Sequence, residues 1–167
     1  MNFKFCPNCG TKGSVQNLND TDYECQKCSW HFWNNAKAAT AIAFVKDDKL
    51  LVVKRKREPN KGKYELTGGF VDFGESAYDG AIREAREELG VTLQPHDLEL
   101  AAVYWNNYSP GISTVDIVFI ARNWQGNPKP SDDVATIAWK PFDFIYDSTF
   151  CQTYTNLDKI IRRGTAA

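Results

Sequence analysis

Three glutamates, Glu84, Glu87 and Glu88, stand at i, i+3 and i+4 within the run Arg83-Glu84-Ala85-Arg86-Glu87-Glu88. On a helix that spacing places all three on one face. Like charges so close repel, and they sit together only where solvent screens them or hard cations neutralise them; carboxylate oxygens are the ligands magnesium prefers. Taken alone, the run also suits a solvated helix face. Its setting is more specific. A Gly68-Gly69 turn follows the short run Tyr64-Glu65-Leu66, Glu75 precedes the helix, and Gly90 closes it. Arg83, four residues before Glu87, can orient that carboxylate by an ion pair, and Glu75 can approach the same end of the helix.

The second chemical constellation is made of thiols. Cys6-Pro-Asn-Cys9 and Cys25-Gln-Lys-Cys28 are separated by fifteen residues, the arrangement in which two turns each offer two thiolates to one tetrahedral zinc. Four cysteines complete that shell, so His31 is read as structural or exposed rather than as a ligand. Cys151 stands apart in an aromatic stretch and reads as a small buried hydrophobe.

The elements that must hold these groups follow from patterning. Residues 1–34 are poor in aliphatic side chains and rich in Asn, Lys, Cys and Gly, so the segment depends on metal for its fold. From residue 35 to 167 the pattern is that of a compact α/β domain. Ala38 to Val45 and Leu50 to Lys54, joined by Lys46-Asp47-Asp48-Lys49, form a hairpin. A basic loop from Arg55 to Lys63 leads to the Gly-Gly turn. From Ser76 to Leu89 the stripe Ala77, Ala81, Ala85, Leu89 predicts a helix packed on a sheet and stopped by Gly90. Leu98 to Tyr104, Ser113 to Ala121 and Val134 to Pro141 are further strands, with an aromatic, Pro-Gly-containing connection between the first two. Thr153 to Arg163 closes the domain as a helix.

The chain has 167 residues, enough for one ordinary core and a small appendage. With 20 basic against 21 acidic side chains the net charge is -1, so the charge balance points to neither nucleic acid nor an anionic membrane, and a small ligand is expected. Met1 to Lys12 holds no apolar run, so neither signal peptide nor membrane span is expected, and the cytoplasm is the expected location.

Gly69, five residues, Glu75, seven residues, then Arg83-Glu84-Ala85-Arg86-Glu87-Glu88-Leu89-Gly90-Val91 resembles the Nudix box, the signature of Nudix hydrolases. Ala85 is smaller than the usual aliphatic at its position, and Thr67 stands where proline is common. The resemblance, from about Ala36 onward, implies an α/β/α sandwich around a mixed sheet whose box binds divalent metal against a pyrophosphate. It implies Glu87 and Glu88 as the main magnesium or manganese ligands, Glu84 as a further ligand or the base, Glu75 as loop support or an additional ligand, and Arg83 as their positioner. Cleaving a phosphoanhydride needs charge neutralisation on two phosphates and an activated water, which clustered carboxylates can organise. Asp116, Asp132 and Asp133 are candidates for a base outside the box.

A zinc ribbon ahead of such a domain is similar to that of the family's NADH pyrophosphatases. Their Ser-Gln-Pro-Trp-Pro-Phe-Pro motif is matched only loosely, by Tyr104-Trp105-Asn106-Asn107-Tyr108-Ser109-Pro110-Gly111. Tyr104, Trp105 and Tyr108 are candidates to stack a base, with core packing as the alternative. Arg55, Arg57 and Lys63 are candidates for distal phosphates, and Gly68 and Gly69 for close backbone approach. The expected substrate is a nucleoside diphosphate derivative, ADP-ribose or an ADP-sugar first and NADH next, with a nucleoside triphosphate after that. The alternative is a module that binds nucleic acid, protein or a small ligand without turnover. Relatives in the family dimerise, so a homodimer is among the expectations.

Overall fold

The computed structural model describes residues 2–164, which divide between Ala36 and Lys37 into two compact units. In the first, strands β1 (Val15–Asn19), β2 (Asp22–Cys25) and β3 (His31–Trp33) form an antiparallel meander. The segment has more of a core than its few aliphatic residues suggest. Phe3 packs edge-on against Tyr23, Trp30 and Phe32 with ring centroids 5.2–5.7 Å apart, an aromatic cluster that adds to whatever metal supplies.

The second unit is built on a six-stranded mixed sheet. Its strands are β4 (Lys37–Lys46), β5 (Lys49–Arg55), β6 (Tyr64–Glu65), β7 (Leu98–Ser109), β8 (Ile112–Ala121) and β9 (Val134–Lys140). The order is β6-β5-β4-β8-β7, with β9 also paired to β5; only β4 and β8 run parallel. Asp47 and Asp48 turn the β4–β5 hairpin with positive φ of 50° and 54°, a conformation aspartate tolerates better than most residues.

Helix α1 (Ala77–Leu89) forms where the stripe predicts. Ser76 caps it: its Oγ accepts the Asp79 N–H at 3.2 Å, and the Asp79 carboxylate accepts the Ser76 N–H at 3.3 Å. Gly90 ends it in the left-handed region, φ 67°. Ala81, Ala85 and Leu89 are fully buried with Ile42, Phe44, Leu51 and Val53 of the sheet. The short residue at 85 is what allows that close seating. On the opposite face Ala43, Val52, Val118 and Ile120 pack with Leu157 and Ile161 of α2 (Leu157–Arg163) and with Phe142 and Ile145 of the 3-10 helix Phe142–Tyr146. These are the layers of an α/β/α sandwich.

β7 runs on to Ser109, five residues past the expected end. Trp105 to Tyr108 are therefore strand rather than loop, paired to Ser113–Val115 with Ser109 opposite Ile112, and the connection shrinks to Pro110-Gly111. α2 starts four residues later than expected, at Leu157.

Only the far end of β4 pairs with β5, at Val45 and Lys46. Its near half instead holds the Gly-Gly segment: Ile42 N–H donates to Thr67 O and Thr40 N–H to Gly69 O, both at 2.8 Å, and Val71 N–H donates to Ala38 O at 3.1 Å. The lack of proline at 67 is offset by this strand-like anchoring. Gly68 has φ +153°, and a Cβ there would lie 2.0 Å from Thr40 O. No other residue fits.

Candidate active site

A cavity of about 260 Å³ opens beside this segment, lined among others by Gly68, Gly69, Glu84, Glu87, Glu88, Asp116, Asp132 and Asp133. The three glutamates of α1 thus share one cavity, at very different depths. Glu88 is 3% exposed, and one of its oxygens accepts the Gly68 N–H at 3.1 Å. Burial, aided by the charges of Glu65, Asp133 and Glu84, pushes its pKa well above the carboxylate range. Burial raises Glu84 as well, against the pull of Arg83. Glu87 is the outermost, its side chain 43% exposed.

Arg83 uses all five N–H groups. Nε and Nη2 clamp both oxygens of Glu75 at 3.0 Å, Nη1 reaches Glu84 Oε1 at 2.6 Å and Glu87 Oε2 at 3.2 Å, and Nη2 also donates to Phe70 O at 3.0 Å. It positions two of the α1 glutamates and the Phe70 loop at once. Glu75, expected as loop support or an additional ligand, does not line the cavity. Arg83, together with the Asp72 N–H at 3.0 Å, occupies its carboxylate and holds its pKa low. A Cβ on Gly69 would lie 2.3 Å from Glu84 Oε1, so the second glycine makes room for that carboxylate.

The C-terminal end of α1 brings two more acids. Lys129 N–H donates to Leu89 O at 3.0 Å and Ser131 N–H to Glu88 O at 2.9 Å, satisfying helix carbonyls left open by the last turn. The chain so anchored presents Asp132 and Asp133 to the cavity.

Arg55 and Arg57 part company. Arg55 Nη1 meets both oxygens of Glu65 at 2.6 Å, Nε donates to Pro59 O at 2.7 Å and Nη2 to Tyr108 Oη at 3.3 Å. With side chains 10% and 8% exposed, Arg55 and Glu65 form a buried ion pair at the cavity wall. Arg55→Ala is expected to destabilise the chain by about 3–5 kcal/mol, because Glu65 is left as a buried unpaired charge; urea unfolding checks this, and Arg55→Ala/Glu65→Leu should recover much of the loss. Arg57, expected to meet substrate, is 68% exposed, 3.8 Å from Asp132, and outside the lining; Lys63 is also outside it.

Of the aromatic candidates, Tyr108 lines the cavity edge-on to Phe70, centroids 5.2 Å apart. Tyr104 does not. Its ring packs on Tyr154 and its hydroxyl donates to Thr155 O at 3.0 Å, so it belongs to the core beneath α2. Trp105 points outward and is exposed. Asp116 is buried, accepting from Asn106 Nδ2 at 2.9 Å and Tyr154 Oη–H at 3.2 Å. Glu65, Asn106 and Gln152 line the cavity without having been singled out in the sequence. A charged residue in a two-residue strand beside the Gly-Gly turn was the available signal for Glu65.

In the first unit the Sγ atoms of Cys6, Cys9, Cys25 and Cys28 lie within 4.8 Å of one another, a closeness that no three carboxylates of the described residues reach. Cys6–Cys28 and Cys9–Cys25 Sγ separations are 3.7 and 3.8 Å, and all five cysteines are free. A tetrahedron with Zn–S bonds of about 2.3 Å has S–S edges of about 3.8 Å, whereas a disulfide needs about 2.05 Å. The set fits zinc. The His31 Nε2 instead pairs with Asp22, and the ring stacks on Trp33 with centroids 4.3 Å apart. Cys151 is half-buried at the edge of β6, its thiol pushed up to about 11 by burial.

The NUDIX domain family model matches residues 35–153. The chain belongs to the NUDIX family. It is 40% identical over 89 residues to the ADP-ribose pyrophosphatase of Methanocaldococcus jannaschii, 53% of this chain and 52% of that one. It is 32% identical over 90 residues to the NAD-capped RNA hydrolase NudC of Pseudomonas aeruginosa, 54% of this chain and 32% of that one. These matches span about half or less of the curated relatives. Among solved structures, a NUDIX hydrolase from Nitrosomonas europaea superposes with a TM-score of 0.69 at 25% identity, covering 96% of this chain and 89% of that one. The MutT NUDIX hydrolase of Burkholderia pseudomallei gives 0.61 at 29% identity, over 65% and 85%.

Proposed function

We propose that the chain is a divalent-metal-dependent pyrophosphohydrolase that cleaves the diphosphate of a nucleoside diphosphate derivative, ADP-ribose or an ADP-sugar before NADH. One observation carries this reading. Seven carboxylates line the cavity, from Glu65, Glu84, Glu87, Glu88, Asp116, Asp132 and Asp133, against the single guanidinium of Arg55, which Glu65 already neutralises. Such a cavity repels a diphosphate and attracts hard cations. A small anionic substrate is compatible with it only together with magnesium or manganese.

Glu87, Glu88 and Glu84 are the residues that would hold the metal, which when bound supplies charge neutralisation on the diphosphate and acidifies water. Glu88 fits the part because a buried carboxylate beside three other acids requires a countercharge. Arg83 fixes Glu84 and Glu87 in position rather than touching substrate. Asp133 is our choice of base among the three aspartates. Asp116 has one oxygen tied to Asn106 and Tyr154 and is not among the charges that act on Glu84 or Glu88, and Asp132 lies exposed near Arg57, whereas the half-buried Asp133 is near enough to press electrostatically on both Glu84 and Glu88. Cys6, Cys9, Cys25 and Cys28 would hold structural zinc.

The order of substrates leans on the name of the Methanocaldococcus relative, and the second place of NADH on that of NudC. A panel of ADP-ribose, an ADP-hexose, NADH and ATP, assayed with and without magnesium, tests it. The expected products from ADP-ribose are AMP and ribose 5-phosphate, formed only with the metal. Turnover that ignores the metal, or confined to ATP, would contradict the proposal.

A further inference from the structure

Part of the cavity is built for something other than phosphate. Along β8, Thr114, Asp116, Val118 and Ile120 alternate onto one face and are all buried. The last two are apolar core, and the first two line the cavity, so the core face turns polar there. Asp116 is 5% exposed; its Oδ2 takes both the Asn106 and the Tyr154 hydrogen bonds, and its Oδ1 receives none from the described residues. Asn106 Oδ1 accepts the Thr153 N–H at 2.9 Å, which fixes the amide with its NH2 toward Asp116. Gln152 is oriented likewise. Its Nε2 donates to Glu65 Oε2 at 3.1 Å, leaving Oε1 buried and without a partner.

Buried acceptors without donors are uncommon and costly. One such acceptor, Gln152 Oε1, and the donor-free Asp116 Oδ1 at the same cavity call for a ligand that brings N–H or O–H groups. A phosphate, which offers only acceptors, is repelled there. Phe70 and Tyr108 in the same lining add aromatic surface suited to a planar ring.

We propose that Asp116 and Gln152 read the 6-amino group of adenine, each accepting one of its two N–H bonds, and so set the nucleobase preference of the hydrolase. The proposal rests on the pyrophosphohydrolase reading above and adds to it the group recognised at this end of the site. A 6-oxo base would place a carbonyl lone pair against two acceptors, and sites that leave such groups unpaired reject the wrong ligand strongly.

The test compares kcat/KM for ADP-ribose, its hypoxanthine counterpart and its 2′-deoxyadenosine counterpart on the full chain with magnesium. Wild type is expected to prefer adenine over hypoxanthine by about a hundredfold and to treat the 2′-deoxy compound within about threefold. Asp116→Asn should shrink the adenine preference to below about tenfold. Gln152→Met should do the same, and provides the answer if the first variant does not fold. Adenine and hypoxanthine cut within about threefold by wild type would overturn the proposal, as would a large loss confined to the 2′-deoxy compound, which would assign the acceptors to ribose hydroxyls. Equal loss on both bases in the variants would also overturn it, leaving Asp116 with a structural or proton-transfer role. Failure to hydrolyse any of the three compounds would strike the hydrolase reading itself, and is distinguished by the absence of turnover rather than of preference.

Discussion

Glu88→Gln is expected to lower magnesium-dependent turnover about a thousandfold and, in metal-free protein, to raise the melting temperature by a few degrees. The first effect follows from removing the deepest carboxylate of a site that must neutralise charge developing on a diphosphate. The second follows from what Glu88 endures without a cation: it is 3% exposed and pressed by Glu65, Asp133 and Glu84. An amide keeps the shape and can still accept the Gly68 N–H, but it carries no charge to desolvate. A gain of about 1 kcal/mol corresponds to roughly 2–4 °C for a domain of this size. Glu87→Gln should also depress turnover, yet leave the metal-free melting temperature within about 1 °C, because Glu87 is largely solvated beside Arg83. Steady-state assays and calorimetry in magnesium-free buffer read both. A loss of stability in Glu88→Gln would mean that the carboxylate is structural.

Stripping zinc is expected to abolish amide protection through β1, β2 and β3 while residues 37–164 keep theirs. The aromatic cluster around Phe3 is too small to hold three short strands, and a four-thiolate site contributes about 10–16 kcal/mol of binding free energy to folding. Cys25→Ser should give the same pattern, since Cys25 is buried, its Sγ lies 3.8 Å from that of Cys9, and its thiol is pulled down to about 6, chiefly by Ser14. Hydrogen exchange with mass spectrometry resolves the two units. Retained protection in residues 2–36 after zinc loss would show that the aromatic cluster suffices.

The sequence carries most plainly what is local and periodic. The four-residue stripe of α1, its Ser76 cap and Gly90 stop, and the paired cysteines each declare themselves within a few residues, and the structure places them accordingly. What escapes is decided by partners distant in sequence. Arg55 and Arg57 look alike in a basic loop; only the β5–β6 register, with Val53 opposite Glu65, gives Arg55 a buried diagonal partner and leaves Arg57 in solvent. Tyr104 and Tyr108 are both aromatic, four residues apart on one strand, and which meets α2 and which meets the cavity depends on where α2 crosses. β7 also carries irregularities at Leu100/Ala102 and Asn107/Ser109, and each shifts the register that simple alternation would project. Glu75 reads from the resemblance as loop support or a further ligand, and which partners its carboxylate takes, Arg83 and the Asp72 N–H, is set by contacts the sequence does not display.

Titration of the zinc-loaded chain with manganese, followed by electron paramagnetic resonance, measures directly whether the α1 carboxylates hold hard cations. Wild type is expected to bind at least one Mn²⁺ per chain, with magnesium competing, and both Glu87→Gln and Glu88→Gln to weaken that binding tenfold or more. Manganese binding that is absent in wild type, or that survives both substitutions unchanged, would contradict the assignment of these glutamates.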